Sequence, residues 1–164
     1  MYLCVMKKRL WGDIMSECTI QTISVELRKL EAEQLESISG TSLIPNVNNN
    51  IVGVQHDKEK KAFAVIVENA TTISTNEKPA FSIKMAYLGI FTYNVEVDNE
   101  SFLNLICRAS ETIYNVAILQ KILELTVAFG IAPLRAYIKS ITPEQITGVQ
   151  IDETSLSITL PPDA

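Results

Sequence analysis

The sequence predicts an α+β fold, a four-stranded antiparallel sheet followed by two helices packed on one of its faces. Three observations predict it. The stretch Lys61 to Tyr93 reads as two long strands joined by a short polar turn. Its second half sets Phe81, Ile83, Met85, Tyr87, Phe91 and Tyr93 on alternate positions, interrupted only by Gly89, as a strand with one covered face does. From Glu100 to Phe129 the apolar spacing then becomes helical.

In the first half of the stretch, Phe63, Val65, Val67 and Ile73 take one face, and Ala62, Ala64, Ile66 and Ala70 take the other. One face therefore packs bulky groups, while the alanine face admits something close. Asn76-Glu77-Lys78-Pro79 between the halves is a breaker cluster whose proline lacks the N–H a ladder needs. A strand of about 12 residues spans roughly 40 Å, well beyond the usual length. A sheet this long needs a long partner.

One domain is the natural reading of 164 residues, and 47% hydrophobic content with mean hydropathy +0.17 supplies a substantial core. Asn115, Gln120, Lys121 and Glu124 interrupt Ile113 to Phe129, so direct membrane insertion is not expected. The apolar excess is expected inside the fold or in subunit contacts. A net charge of -5 and a pI near 4.9 argue against a nucleic-acid partner. The small cluster Lys7-Lys8-Arg9 reads as a solvated terminal run. In MYLCVM the positive charges follow the apolar residues, the wrong order for a signal peptide. Cys4, Cys18 and Cys107 fit reduced thiols in a cytoplasm. Met15 is a second plausible start. Residues 1–18 are expected to form an N-terminal extension, 19–143 the folded domain and 144–164 a C-terminal tail.

From Thr19 to Arg28, Ile23, Val25 and Leu27 alternate with Ser24, Glu26 and Arg28 as a strand with one wet face. Leu27, Leu30, Gln34, Leu35 and Ile38 also match a helical period; the reading taken is a strand that continues or bends. Gly40 to Asn50, GTSLIPNVNNN, reads as a long crossing loop because glycine, proline and asparagine favour turns. Its Leu43, Ile44 and Val47 either plug the edge of the core or line an exposed apolar groove. Ile51 to Gln55 is a short strand, closed by the turn His56 to Lys61.

Asp98 or Asn99 caps a helix starting near Glu100, with Phe102, Leu103, Ile106 and Cys107 on one side. A longer helix from about Glu111 to Phe129 aligns Ile118, Ile122, Leu125 and Phe129, and Val116, Leu119, Leu123 and Val127 broaden the stripe. A stripe this wide is covered on more than one side. One sheet covers one side, so the remainder predicts a homo-oligomer with Ile118, Ile122 and Leu125 at the subunit contact. Gly130 and Pro133 are stop signals. The tail from Ile141 either pairs as an edge strand or stays mobile.

No catalytic or metal-binding residue is named. The one histidine, His56, lies beside Asp57 in a lysine-rich turn and reads as a surface side chain with no nucleophile tied to it. P-loop, GxGxxG, GxSxG, HExxH and CxxC patterns are missing from the sequence, so no cofactor is expected. Glu26, Glu31, Glu33 and Glu36 read as a solvated surface. What remains is apolar surface. Phe81 and Tyr87 read as core, Gly89 as a kink or a point of close approach by another chain, and Phe91 and Tyr93 as a partly open patch.

The order of elements, the strand FSIKMAYLGIFTY with Gly89-Ile90-Phe91 near its end, and the helix-end segment Val127-Ala128-Phe129-Gly130-Ile131-Ala132-Pro133 resemble the SecB protein-export chaperone family over about Ile20 to Pro143. The resemblance implies that two subunits join sheets into a larger antiparallel sheet and that dimers pair through the long helices, giving a homotetramer. It implies grooves that hold unfolded polypeptide, lined by Leu43, Ile44 and Val47 of the crossing and by Phe129 and Ile131 at the helix end. The sequence departs from the family at Ala117-Ile118-Leu119-Gln120, where a proline-aromatic-alanine-arginine turn is usual, and at Arg135 to Lys139, where the family is apolar. Export-type members carry a strongly acidic tail that engages the translocase motor; Pro161-Pro162-Asp163-Ala164 is a poor version of it. A dedicated client such as an antitoxin is an equal implication.

The resulting functional expectation is a cytoplasmic, ATP-independent holdase covering apolar segments of unfolded clients. A small-apolar-ligand carrier and a non-enzymatic adaptor subunit are the alternatives from other classes.

Overall fold

The computed structural model describes residues 18–36, 43–75, 78–128, 143–146 and 148–158. Four long strands, β1 (Ile20–Gln34), β2 (Leu43–Asp57), β3 (Ala62–Thr75) and β4 (Lys78–Tyr93), form an antiparallel sheet in the order β1-β4-β3-β2. A short β5 (Ile151–Glu153) adds in parallel to the outer side of β2. At about 3.3 Å per residue, the 16 residues of β4 span roughly 50 Å. The expected sheet-and-helix class holds, and the tail supplies a fifth strand.

The predicted hairpin of β3 and β4 is the centre of the sheet, in register from Ala62↔Thr92 to Thr75↔Lys78. Phe63, Val65, Val67, Ile73, Phe81, Ile83, Met85, Tyr87 and Phe91 are all buried on its bulky face. β1 does continue as a strand, and it bends at two register shifts, between Thr22 and Ser24 and between Leu27 and Lys29. Glu26, Glu31, Glu33 and Glu36 lie at the exposed edge, as expected.

The expected crossing loop is corrected. From Leu43 onward this segment is the first half of β2, paired residue by residue with β3 from Leu43↔Thr75 to Ile51↔Val67. The ladder outweighs the turn preference of the asparagines. They fit a strand because Asn46, Asn48 and Asn50 are exposed, while Val47, Asn49 and Ile51 are partly covered. Pro45 is tolerated close to the start of β2, where a missing N–H disturbs the ladder least.

Two helices were expected, and they are one continuous run. Asp98 caps it, its carboxylate accepting the Ser101 N–H at 2.7 Å. α1 (Asn99–Thr112) passes through a π-helical turn (Ile113–Ile118) into α2 (Leu119–Ala128), with right-handed helical backbone at both joins. Within the π turn, Asn115 Oδ1 is buried with no hydrogen-bond donor among the described residues.

The wide apolar stripe is resolved into two. Ile118 and Ile122 are buried in the chain's own core and Leu125 packs against it, so the residues expected at a subunit contact face inward. Val116, Leu123 and Val127 instead point outward at 62%, 38% and 66% exposure. The stripe's breadth was legible, but the phase set by the π turn was not.

Gly89 fixes where the helix crosses the sheet. A Cβ there would lie 2.6 Å from Ile113 Cδ1 and 2.6 Å from Phe91 Cε2. The close approach is thus by the chain's own helix, not another chain. Ile113 and Phe91 are fully buried and have no free space to move into. Gly89→Ala is expected to cost about 1–3 kcal/mol through overpacking. Ile113→Val removes the clashing methyl and should recover part of that loss in the double variant, read from urea midpoints.

Candidate functional site: a groove along the open edge of β2

The upper half of β2 has β3 on one side and no described strand on the other. Main-chain groups on that side face a groove of about 470 Å³ between β2, the helix and the segment after the 3₁₀ turn (Pro143–Ile146). Val47, Asn48, Asn49, Asn50 and Ile51 form the strand side, with Val67 behind them. Ser110 and Tyr114 form the helix side, and Gln145, Ile146, Gly148 and Val149 close the far wall. Consecutive β2 residues, which alternate between faces, all reach the groove, so it follows the strand edge.

A polar chain stiffens its base. Thr71 Oγ1 donates to Asn69 Oδ1 at 2.8 Å, and Asn69 Nδ2 donates to Asn49 Oδ1 at 2.6 Å. Asn49 is in turn hydrogen-bonded to the Tyr114 hydroxyl, whose pKa burial raises. Asn69 and Thr71 are buried, so these bonds satisfy amides that would otherwise be costly on the core side of the sheet. Ile146 anchors the far wall by packing into the main core. The result is an apolar floor with polar edges beside β2.

Of the residues named from sequence, Val47 lines this groove. Leu43 and Ile44 lie on β2 above it. Phe129 and Ile131 lie outside the described residues. Phe91 and Tyr93 are corrected: at 0% and 8% exposure they are core, because β4 runs between β1 and β3 beneath the helix. Tyr114, Asn49, Gln145 and Val149 were missed. The asparagine run was a signal for them, once read as strand instead of turn.

His56 is also corrected, from surface to buried. Its ring stacks on Phe102 at 3.8 Å between centroids, and Nε2 shares a 2.8 Å hydrogen bond with the Tyr93 hydroxyl. Burial lowers its pKa, with Lys58 adding to the effect against the opposing pull of Glu153 and Asp57. Neighbouring Asp57 is held below the usual carboxylate range by the Leu156 and Lys60 N–H groups. Burial pushes the Cys107 thiol up to about 11, so it stays protonated and unreactive at neutral pH. Among the described residues no cluster of His, Cys, Asp and Glu is placed to hold a metal ion, and no described helix is long and apolar enough to cross a membrane.

An antiparallel sheet with one long helix across its bulky face and a groove at one margin defines a SecB-like fold. Among solved structures, the chain is similar to the Rv1957 SecB-like chaperone of Mycobacterium tuberculosis, solved in complex with a ChAD peptide from the Rv1956 HigA1 antitoxin. The TM-score is 0.63 and the identity 15%, over 80% of this chain and 98% of that chain. A protein of unknown function from Streptococcus agalactiae overlaps more loosely, with TM-score 0.41 and 9% identity over 73% of this chain and 98% of that one. No family model matches the sequence, and no curated protein does. The fold is the one the resemblance implied.

His56 makes stability depend on pH. Its folded pKa lies below the unfolded value of about 6.5, so the unfolded chain takes up the proton first as pH falls. Its contribution is complete above pH of about 6.5 and is lost as pH falls through the folded value; that of Asp57 persists until pH drops below about 4. The melting temperature should therefore fall between pH 7.5 and 5, and His56→Gln should flatten that slope. As the only histidine, its imidazole resonance reports the lowered pKa without assignment.

Proposed function

We propose that this protein is an ATP-independent holdase that binds unfolded polypeptide in the groove beside β2. The observation that carries the reading is the groove itself, whose floor of Val47, Ile51, Val67 and Ile146 runs beside β2 between the sheet and the helix. Clients bury apolar side chains on this floor at about 25 cal/mol per Å², and the asparagines and Gln145 at its rim hydrogen-bond to their main chain. Neither contact demands a particular sequence. The SecB-like fold, seen in a chaperone solved with an antitoxin peptide, supports a polypeptide client. A dedicated client of antitoxin type has more support than docking on an export motor through the tail, because the described part of the tail packs against the chain's own sheet. Leu43, Ile44, Phe129 and Ile131 remain proposed client-binding residues together with Val47.

The assembly is proposed as a homotetramer in the cytoplasm. Val116, Leu123 and Val127 form the outward stripe through which helices of two copies pair, in place of Ile118, Ile122 and Leu125. The free edge of β1, where Leu27, Leu30 and Leu35 are about two-fifths exposed or more, is where sheets join. The net acidic surface favours basic clients and speeds their capture. No catalytic role is assigned. A carrier of small apolar ligands is less well supported, since asparagines and Gln145 line much of the groove.

Light scattering should give about four times the 18.2 kDa subunit mass, and Val116→Asp with Val127→Asp should lower it. The wild-type chain should suppress aggregation of a denatured test protein without ATP. Gln145 is exposed, so Gln145→Trp should fill the groove without unfolding the chain. It should weaken client binding at least tenfold, about 1.4 kcal/mol. A monomer that leaves aggregation unchanged would contradict both proposals.

A further inference from the structure

The sheet face turned away from the helix is not bare. Ala64 pairs with Ile90 and Ile66 with Leu88 across β3 and β4, and Ala62 lies beside Thr92, so these side chains share that face. The small side chains of Ala62 and Ala64 leave a trough. Leu156 fills it, and Leu88, Ile90 and Ile158 pack around it. Farther along the same face, Glu68, Ala70, Lys84 and Ala86 replace the apolar lining.

The tail enters the trough over a clamp made by the β2–β3 turn. Asp57 Oδ2 accepts the Leu156 N–H at 2.9 Å, and Lys60 Nζ donates to the Leu156 carbonyl. One anion and one cation thus grip the two main-chain groups of a single residue. The turn itself positions the anion of this clamp, because Asp57 Oδ1 also accepts the Lys60 N–H at 3.1 Å. Contacts of this kind recognise main-chain groups whatever the side chain between them. The trough adds the preference for an aliphatic group.

What holds the tail there is slight. All three residues of β5 are exposed, and Thr154 N–H donates to the His56 carbonyl at 3.0 Å. The 2.7 Å pair of Lys58 with Glu153 joins side chains that are both more than half exposed, where water screens it. Leu156 is the one buried side chain of the segment. Val149 packs on the main core, so the loosely held part of the tail begins beyond it. A segment with so few buried contacts lies at the low-stability end of the molecule.

We propose that the trough over Ala62, Ala64, Leu88 and Ile90, with the Asp57 and Lys60 clamp, is a second polypeptide-binding site, occupied in the resting molecule by the chain's own Thr154–Ile158 as a displaceable strap. The proposal rests on the polypeptide-binding reading and extends it to the opposite face of the sheet. Its occupant in trans is a segment with branched aliphatic side chains two residues apart, the spacing of Leu156 and Ile158, turned at the residue between them as Ser157 is by the 3.1 Å bond from the Ile158 N–H to the Leu156 carbonyl. An acidic residue placed like Glu153 meets Lys58.

The test uses the full-length chain carrying Leu156→Ser and Ile158→Ser, and a fluorescein-labelled peptide with the native sequence from Gln150 to Leu160. The peptide is expected to bind this variant at least tenfold more tightly than the wild type. Adding Asp57→Asn should weaken that binding at least tenfold, whereas Gln145→Trp should leave it unchanged. Equal binding to variant and wild type, or none to either, overturns the strap. If the wild type still suppresses aggregation in that case, the groove beside β2 stands and only the trough fails. If suppression is absent while the variant takes the peptide, the groove reading fails instead. Should the double variant not fold, hydrogen exchange on the unmodified chain decides: the Thr154 and Leu156 amides should exchange at least 100-fold faster than those of Val65 and Val67, and equal protection overturns the proposal.

Discussion

The contact of Ile113 with the bare backbone at Gly89 is the constraint on which the rest of this structure depends. A helix laid along a sheet of long strands can slide and rotate unless something pins it. Here the pin is a missing side chain on a central strand, filled by an isoleucine at the first position of the π turn. From that point Phe102, Leu105 and Ile106 reach back over Phe63, Phe91 and Tyr93, and Ile118 and Ile122 reach forward over the remainder of the sheet. The groove beside β2 follows from the same placement, since Ser110 and Tyr114 stand opposite the asparagine run only when the helix sits at this height.

Much of this was legible in the sequence. The alternation of β3 and β4 is strong because both strands are central and bury one face completely, so local pattern and tertiary demand agree. The alanine face, read as one that admits something close, is where Leu156 settles. The cap at Asp98 was equally plain. The misreadings share a cause, which is that partners distant in sequence decided the outcome. Asn46 to Asn50 form a strand because β3 offers them a ladder, and His56 is buried because Phe102, far along the chain, lies against its ring. No local signal carried either fact.

The candidate site was only partly visible for the same reason. Val47 was named because an apolar residue stands out in a polar stretch, whereas Tyr114 looks like one more core aromatic until the helix is placed. Phe91 and Tyr93 were taken as open because they end a strand, but the helix begins immediately above them. The two sides of the sheet also divide the labour. One is packed by large side chains and fixes the fold; the other is packed by alanines and a tail, and is held far more loosely.

The π turn at Ile113–Ile118 acts as a phase shifter. One added residue rotates everything beyond it by about 100° relative to an unbroken helix. The inner row of α2 thereby stays in step with the sheet, and the outward row takes its direction from that placement. Gaining or losing a single residue here would swing Ile118 and Ile122 out of the core together with the outer row, so the buried side holds the length of this turn fixed.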